Sequence, residues 1–198
     1  MSGIVGSRLN NRGSGLIGSL GTDGQVLTSS GAGTSAVYEA AAGGGGKILQ
    51  VTQRETTTGT SAITSSTLTE TDVYATITPS ADSSNVIIMM NFRMLVVESA
   101  GSNTTCAMGI KRDIDGGGYN DVYLPLANEF GHWQHGLVGA VSDQERCTLT
   151  CLDAPSTTSA CTYKLYVRDM GGDANGDDVY VGGDSTEMST ILMEVDGS

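Results

Sequence analysis

The feature that most constrains this fold is Val86–Val97, the only long apolar run in a chain rich in Gly, Thr and Ser. Every second residue from Val86 onward is apolar, whereas the intervening positions include Asn91 and Arg93. A period of two is typical of a β-strand that turns one face to a core and the other to a second layer or subunit. Periodicity alone leaves a buried helix open, but turn residues bracket the run and neighbouring segments also alternate, so we predict a strand. The uniformly apolar side comprises Val86, Ile88, Met90, Phe92, Met94 and Val96.

The overall charge limits the partners of the chain. The net charge is −12 and the pI about 4.3, and the sequence contains no basic cluster. Binding to nucleic acid requires a surface that neutralises phosphates, so we predict no nucleic-acid partner. The apolar run is too short to cross a bilayer, and the first residues lack the apolar region of a secretory signal. We therefore predict no membrane partner, and we expect the four cysteines to be made in a reducing compartment and to remain thiols.

Residues 1–46 contain few large apolar residues, and these are scattered singly or in pairs. Such a segment buries too little area to offset the entropy of ordering it, so we predict an extended, Gly-rich arm. Within the arm, Gln25–Thr28 and Ala36–Glu39 are expected to pair as a hairpin, and Gly43–Gly46 reads as a hinge.

Residues 47–198 form a series of short alternating segments separated by turns, which predicts an all-β fold, an antiparallel β-sandwich or jelly roll. The segments 147–151 and 161–167 are predicted to form one hairpin. Most cysteines occupy its inner positions as small buried hydrophobes; a disulfide between the first of these strands and Cys161 is the alternative. The last strand places Ile191, Met193 and Val195 on one side. The predicted strands are 47–53, 73–78, 86–97, 106–112, 121–124, 147–151, 161–168 and 189–195.

Several segments, in their order along the chain, look like a β-domain common in tailed-bacteriophage virion proteins. The arm is also similar to a hairpin element that is frequent near the start of phage fibre and appendage proteins. Together they cover most of the chain, with a gap at 98–146. The segments are Lys47–Val51, Thr76–Ser80, Ser84–Ile88, Leu152–Thr158, Thr162–Val167 and Ser189–Glu194 in the body, and Gly21–Thr28 with Gly31–Gly33 in the arm.

The resemblance implies a phage structural protein, usually trimeric, with an N-terminal attachment segment and a distal β-sandwich. It brings no catalytic residues. The short chain favours a trimeric appendage, a short tail fibre or a head or collar fibre, assembled in the host cytoplasm and located in the virion. A capsid decoration protein and a receptor-binding or glycan-binding module of the host-attachment apparatus are the alternatives. The arm is expected to contact other virion proteins, capsid, portal, collar or tail, through Ile4, Val5, Arg8, Leu9, Arg12, Leu16 and Ile17.

Candidate binding residues cluster in 128–141, which holds both histidines and the only Trp. Phe130 and Trp133, with His132 and His135, would form a platform for a host glycan or protein, because aromatic faces suit sugars and cations. Core packing of the two aromatic residues is the alternative.

Metal and catalytic signals are incomplete. His132 and His135 are two imidazoles without a third ligand. An acidic loop partly matches a calcium-binding loop, but an Asp stands where that loop needs Gly. Glu129, His132 and Ser142 are close only in sequence, which does not make a triad. We therefore predict no metal, no cofactor and no enzymatic activity. The loop residues that match calcium-ligand positions are Asp173, Asn175, Asp177 and Asp184.

Overall fold

The computed structural model describes residues 22, 25–28, 37–40, 47–98, 104–123, 132–135, 141–170, 178–183 and 185–197. The chain divides into two compact units, Met1–Gly44 and Gly45–Ser198. The described residues of both units contain strands, turns and irregular segments but no helix, and every strand pair is antiparallel. The predicted all-β, antiparallel class is confirmed.

The described part of the first unit is a two-stranded hairpin. Strand β1 (Gln25–Thr28) pairs with β2 (Val37–Ala40), with Gln25 opposite Ala40 and Thr28 opposite Val37. Strand β2 begins at Val37, one residue later than the predicted segment Ala36–Glu39. Val26, Leu27 and Val37 remain exposed on the pair.

The described residues of the second unit form ten strands in two five-stranded sheets. The strands are β3 (Ile48–Thr56), β4 (Thr69–Ile77), β5 (Asn85–Glu98), β6 (Thr104–Ile114), β7 (Asn120–Tyr123), β8 (His132–His135), β9 (Val141–Asp153), β10 (Cys161–Asp169), β11 (Asp178–Val181) and β12 (Met188–Val195). In the first sheet the order is β9-β5-β12-β3, and β11 continues beside β5 beyond the end of β12. In the second sheet the order is β4-β10-β6-β7, and β8 pairs with the other half of β6.

The strand order is that of a jelly roll. When the short strands β8 and β11 are set aside, the remaining eight are ordered 1-8-3-6 in the first sheet and 2-7-4-5 in the second, counted along the chain. One prediction is therefore wrong: β9 and β10 do not pair as a hairpin, because β9 pairs with β5 while β10 pairs with β4 and β6. Residues 154–160 carry the chain from one sheet to the other.

The core lies between the two sheets, and β5 supplies its centre. The six alternate apolar residues of β5 are 0–2% exposed, as the parity of the run predicts. Burying such a side chain stabilises the fold by about 1.5–3 kcal/mol. Facing them, β10 contributes four fully buried residues, which are Cys161, Tyr163, Leu165 and Val167.

The two ends of the sandwich differ in what they hold. We call proximal the end at which the chain enters the sandwich at Lys47 and leaves it at Asp196, and distal the opposite end. The Asp196 amide donates to the Lys47 carbonyl at 2.9 Å. The turns 78–84, 115–119 and 154–160 also lie at the proximal end. At the distal end, β8 pairs with Thr104–Ala107, the start of β6. The segment 57–68, which follows β3, bonds to β11 at the same end, through Thr60 and Ile63.

Candidate functional site

The two outer faces of the sandwich have different chemistry, although both are built by the same alternation. On the second sheet the outer face is charged. The Lys164 ammonium lies 2.9 Å from the Glu70 carboxylate, and Lys111 lies 3.3 Å from Asp121. Burial would lower the pKa of Lys164, but Glu70 and Tyr119 together outweigh it and raise the pKa. Partly exposed ion pairs of this kind suit a face that stays in water.

On the first sheet the outer face carries a continuous apolar row. The registers place Leu152 of β9 opposite Ile87 of β5, Ile87 opposite Met193 of β12, and Met193 opposite Val51 of β3. Leu152 is 59% exposed and Val51 56%, whereas Ile87 and Met193 are half-buried. The row therefore crosses all four principal strands of the sheet.

A second row adds to it. Met89 and Ile191 lie opposite one another, flanked by Thr150 and Gln53. We call the six apolar residues of these two rows the apolar face. At its proximal margin, Ile48 and Leu49 are also exposed. The members of the apolar face are Val51, Ile87, Met89, Leu152, Ile191 and Met193.

Towards the distal end the same face becomes polar. The next row contains Thr148, whose hydroxyl donates to Asn91 Oδ1 at 2.7 Å, together with Ser189 and Glu55. The polar row separates the apolar face from the covered part of the sheet.

Beyond the polar row, residues 182–183 and 185–187 lie over β5 and β9. Arg93 donates through Nη1 to the Gly182 carbonyl at 2.9 Å, and Arg146 donates to the Glu187 carbonyl at 2.7 Å. Arg93 is only 6% exposed as a result. A depression of about 270 Å³ remains between Arg93, Gln144, Glu145, Arg146 and Thr186. On the outward side of β5, Ile87 and Met89 near the proximal end are thus partly accessible, whereas Arg93 is buried.

A buried carboxylate closes the proximal end. Glu194 is fully buried, and its two oxygens accept four hydrogen bonds, from the Ser80 amide and hydroxyl, the Ser84 hydroxyl and the Gln50 side-chain amide, at 2.6–2.7 Å. Burial would raise the pKa of Glu194, but these bonds outweigh it and lower the pKa to about 2. The carboxylate joins β12, β3 and the turn 78–84 beside the point where the chain enters.

A second polar cluster ties the sheets together at this end. Asp153 of the first sheet accepts hydrogen bonds from Arg112, at 2.5 Å, and from the Tyr163 hydroxyl, at 2.8 Å, both in the second sheet. Burial, with the Asp153 carboxylate beside it, raises the pKa of Tyr163 well above its ordinary value. Tyr163 therefore keeps its proton and donates, which makes the cluster a structural clamp.

All four cysteines are free thiols. Cys106 and Cys161 are buried, and Cys147 and Cys151 are half-buried against the core. Burial raises the pKa of Cys151 to about 11, and it also raises the pKa of Cys147 and of Cys161. A raised pKa leaves little reactive thiolate, so these positions behave as small hydrophobes.

The predicted binding residues fall only partly within the described chain. The backbone of His132–His135 is strand β8, with His135 opposite Thr104 and His132 opposite Ala107. The side chains of His132, Trp133 and His135 lie outside what the structure describes, and so does Phe130. The glycan platform stays a prediction.

The remaining predicted sites lie outside the described residues. They are the calcium-loop positions Asp173, Asn175, Asp177 and Asp184 and the attachment residues Ile4, Val5, Arg8, Leu9, Arg12, Leu16 and Ile17. Among the residues that are described, no group of three or more His, Cys, Asp or Glu side chains is placed to hold a metal ion. In that same part of the chain no helix has the length and apolar character to cross a bilayer.

Comparison with known proteins gives matches among solved structures only. No protein-family model matches the chain, and no curated protein does. A chain in the structure of infectious bursal disease virus strain Gx is similar, with a TM-score of 0.36 and 9% identity, over 88% of this chain and 38% of that chain. A chain in the structure of strain Gt gives 0.26 and 9%, over 88% and 43%. This chain spans less than half of each. Both structures are of a virus, and scores of this size establish neither a family nor a function.

Proposed function

We propose that this chain is a non-enzymatic structural protein of a bacteriophage virion, a homotrimeric surface appendage that residues 1–46 fix to the particle. It would be a short tail fibre or a head or collar fibre. The observation that carries the proposal is the asymmetry of the jelly roll. One outer face is charged and solvated, whereas the other presents a row of apolar side chains from β9 to β3 that are exposed at its two ends and half-buried between them. Large exposed apolar patches mark contacts between proteins.

The fold and the sequence support the virion assignment. Jelly rolls are used in viral capsid and lectin domains, among others. A fold alone does not define a function, so the resemblance of the ordered segments to phage virion proteins supplies the rest. The sequence offers no convincing catalytic constellation, which favours a structural role over an enzyme.

The polarity of the second unit suits an appendage. The chain enters at Lys47, at the proximal end, and β8 lies at the distal end. An attachment segment that joins at one end leaves the opposite end free to project from a particle. This arrangement also favours the second candidate function, in which Phe130, His132, Trp133 and His135 contact a host glycan or protein.

The test compares the full-length chain with a variant lacking residues 2–42 and with a control in which those residues are replaced by a Gly/Ser linker of equal length. Light scattering should give about three times 20.4 kDa for the full-length chain, with the trimer retained after deletion. In host cells that assemble particles without the wild-type copy, the full-length chain should co-purify with particles, and neither variant should. Incorporation of the linker variant would refute anchoring by the arm.

The two candidate functions separate on host attachment. A His132→Ala/Trp133→Ala variant that joins particles normally but no longer supports adsorption to host cells would establish the receptor-binding role. Unchanged adsorption would leave the protein as an appendage or a capsid decoration protein.

A further inference from the structure

We propose that copies of this chain bind one another through the apolar face of the first sheet, the six residues Val51, Ile87, Met89, Leu152, Ile191 and Met193. The inference rests on the proposed self-assembly and names the surface that would carry it. It does not involve Arg93, which residues 182–183 and 185–187 cover.

The dimensions of the surface suit a protein contact. Strands lie about 4.8 Å apart and alternate residues about 6.8 Å apart along a strand. Four strands and four rows, from Ile48 and Leu49 at the margin to the polar row with Thr148, project to roughly 500 Å². A standard interface buries about 800 Å² on each partner. An apolar centre with a polar border is the usual composition of such an interface.

The open edge of the sheet adds to this surface. Strand β9 borders the first sheet, and within the described residues no strand pairs with its outer side. Leu152, the most exposed member of the apolar face, lies on that strand. Long unpaired edges invite pairing with another chain, and native proteins cover them. A partner seated on the apolar face and reaching over β9 would cover the face and the edge together, which enlarges the contact beyond the face alone.

Charge identifies the partner as another copy. The chain carries a net charge of −12, so two copies repel one another over most of their surface. The apolar face contains no charged residue, and the other outer face carries Lys164, Glu70, Lys111 and Asp121. An oppositely charged partner would be attracted to acidic surface elsewhere. An uncharged face is where two like-charged copies approach at least electrostatic cost, and contacts within homodimers are the more apolar class.

The first test is a double variant of the full-length chain, Val51→Lys with Leu152→Lys. Both side chains are more than half exposed in the isolated chain, so the subunit should fold. In a contact, the two ammonium groups would be buried without partners. We expect the mass by light scattering to fall from a multiple of 20.4 kDa to 20.4 kDa, with an unchanged circular dichroism spectrum.

The control carries the same added charge on the other sheet, Thr76→Lys with Asn120→Lys, and should keep the mass of the wild type. A milder pair, Val51→Thr with Leu152→Thr, adds no charge, reduces the apolar area of the contact and should raise the dissociation constant by about tenfold or more. It keeps the test decisive if the lysine pair fails to fold.

The outcomes separate this inference from the proposed function. If the wild type is oligomeric and both the lysine and the threonine pairs keep its mass and its dissociation constant, the apolar face is not the contact. A wild type that stays at 20.4 kDa at every concentration overturns this inference and also the trimer of the proposed function, whereas the first result overturns the inference alone. Neither result bears on whether residues 1–46 attach the chain to the particle, because attachment is measured by incorporation into particles.

Discussion

Glu194 should make the stability of the second unit depend on pH in a defined interval. Its carboxylate accepts four hydrogen bonds that only the ionised form can accept in full, from Ser80, Ser84 and Gln50. The pKa falls from 4.5 to about 2 in the folded chain. Each unit is worth about 1.36 kcal/mol, so the ionised carboxylate contributes about 3 kcal/mol to the free energy of unfolding.

The sign follows from the direction of the pKa shift. Because the folded-state pKa lies below the ordinary value of 4.5, the contribution is complete above about pH 5. It is lost as the pH falls from about 5 towards 2, where the folded carboxylate also becomes protonated. For a domain of this size, 3 kcal/mol corresponds to roughly 6–12 °C in melting temperature.

The assay compares the wild type with Glu194→Gln by thermal and urea unfolding at pH values from 7 to 2. At pH 7 the variant should lose about 3 kcal/mol, because the amide cannot accept all four bonds. The gap between the two proteins should narrow below pH 5 and be largely gone near pH 2. Contributions from the other carboxylates cancel in the difference. A control, Glu187→Gln, removes an exposed carboxylate and should show no such convergence.

A gap between wild type and Glu194→Gln that stays constant from pH 7 to pH 2 would refute the reasoning. It would mean that the variant is destabilised by altered packing and not by loss of the ionised acceptor. Convergence that is already complete near pH 4 would show that the carboxylate is less strongly stabilised than its four bonds imply.

Three further predictions follow from the core, the thiols and a close backbone contact. Phe92→Ala should lower the free energy of unfolding in urea by about 3–5 kcal/mol, because the side chain is fully buried at the centre of β5; a loss below 1 kcal/mol would place it outside the core. Cys151, with its pKa near 11, should be alkylated by iodoacetamide at pH 8 about a hundredfold more slowly than a peptide cysteine, as followed by mass spectrometry, and equal rates would show an accessible thiolate. Gly59→Ala should lower the melting temperature, since a Cβ there would lie 2.5 Å from the Gly183 amide nitrogen, whereas Gly116→Ala meets nothing within 4 Å and reports the cost of its positive φ alone.

The sequence predicts the central strand and the fold class well, because both depend on local periodicity. Six alternate residues from Val86 to Val96 are buried as expected, and so is the inner side of 161–167. The pairing of strands is a different matter. The alternation in 147–151 and 161–167 is the same whether they pair with each other or with distant strands, and only the jelly-roll topology assigns β9 to β5. The sequence of a single strand therefore does not indicate which strand, distant along the chain, it pairs with.

The alternation of apolar and polar residues also does not predict which charged residues are buried. Arg93 occupies an outward position of β5, yet it is covered because Gly182, distant in sequence, supplies a carbonyl acceptor above it. Glu194 lies on the inward side of β12 and is tolerated because the turn after β4 brings two serines to it. Both depend on partners from other elements, which alternation within one strand cannot indicate.

Strand β12 shows why the sequence alone does not distinguish the apolar face from the core. Ile191 and Met193 form the more apolar side of β12, but that side faces outward, and the inward side carries Thr190, Leu192 and Glu194. A core and a contact between subunits are built from the same residue types, so hydrophobicity alone cannot separate them. The registers separate them here: the residues that line up with Leu152 and Val51 lie outside the sandwich, on the face that we propose as the contact between copies. Under this proposal, an apolar side of a strand that faces away from the core is the sequence signal for assembly, once the topology shows which side faces outward.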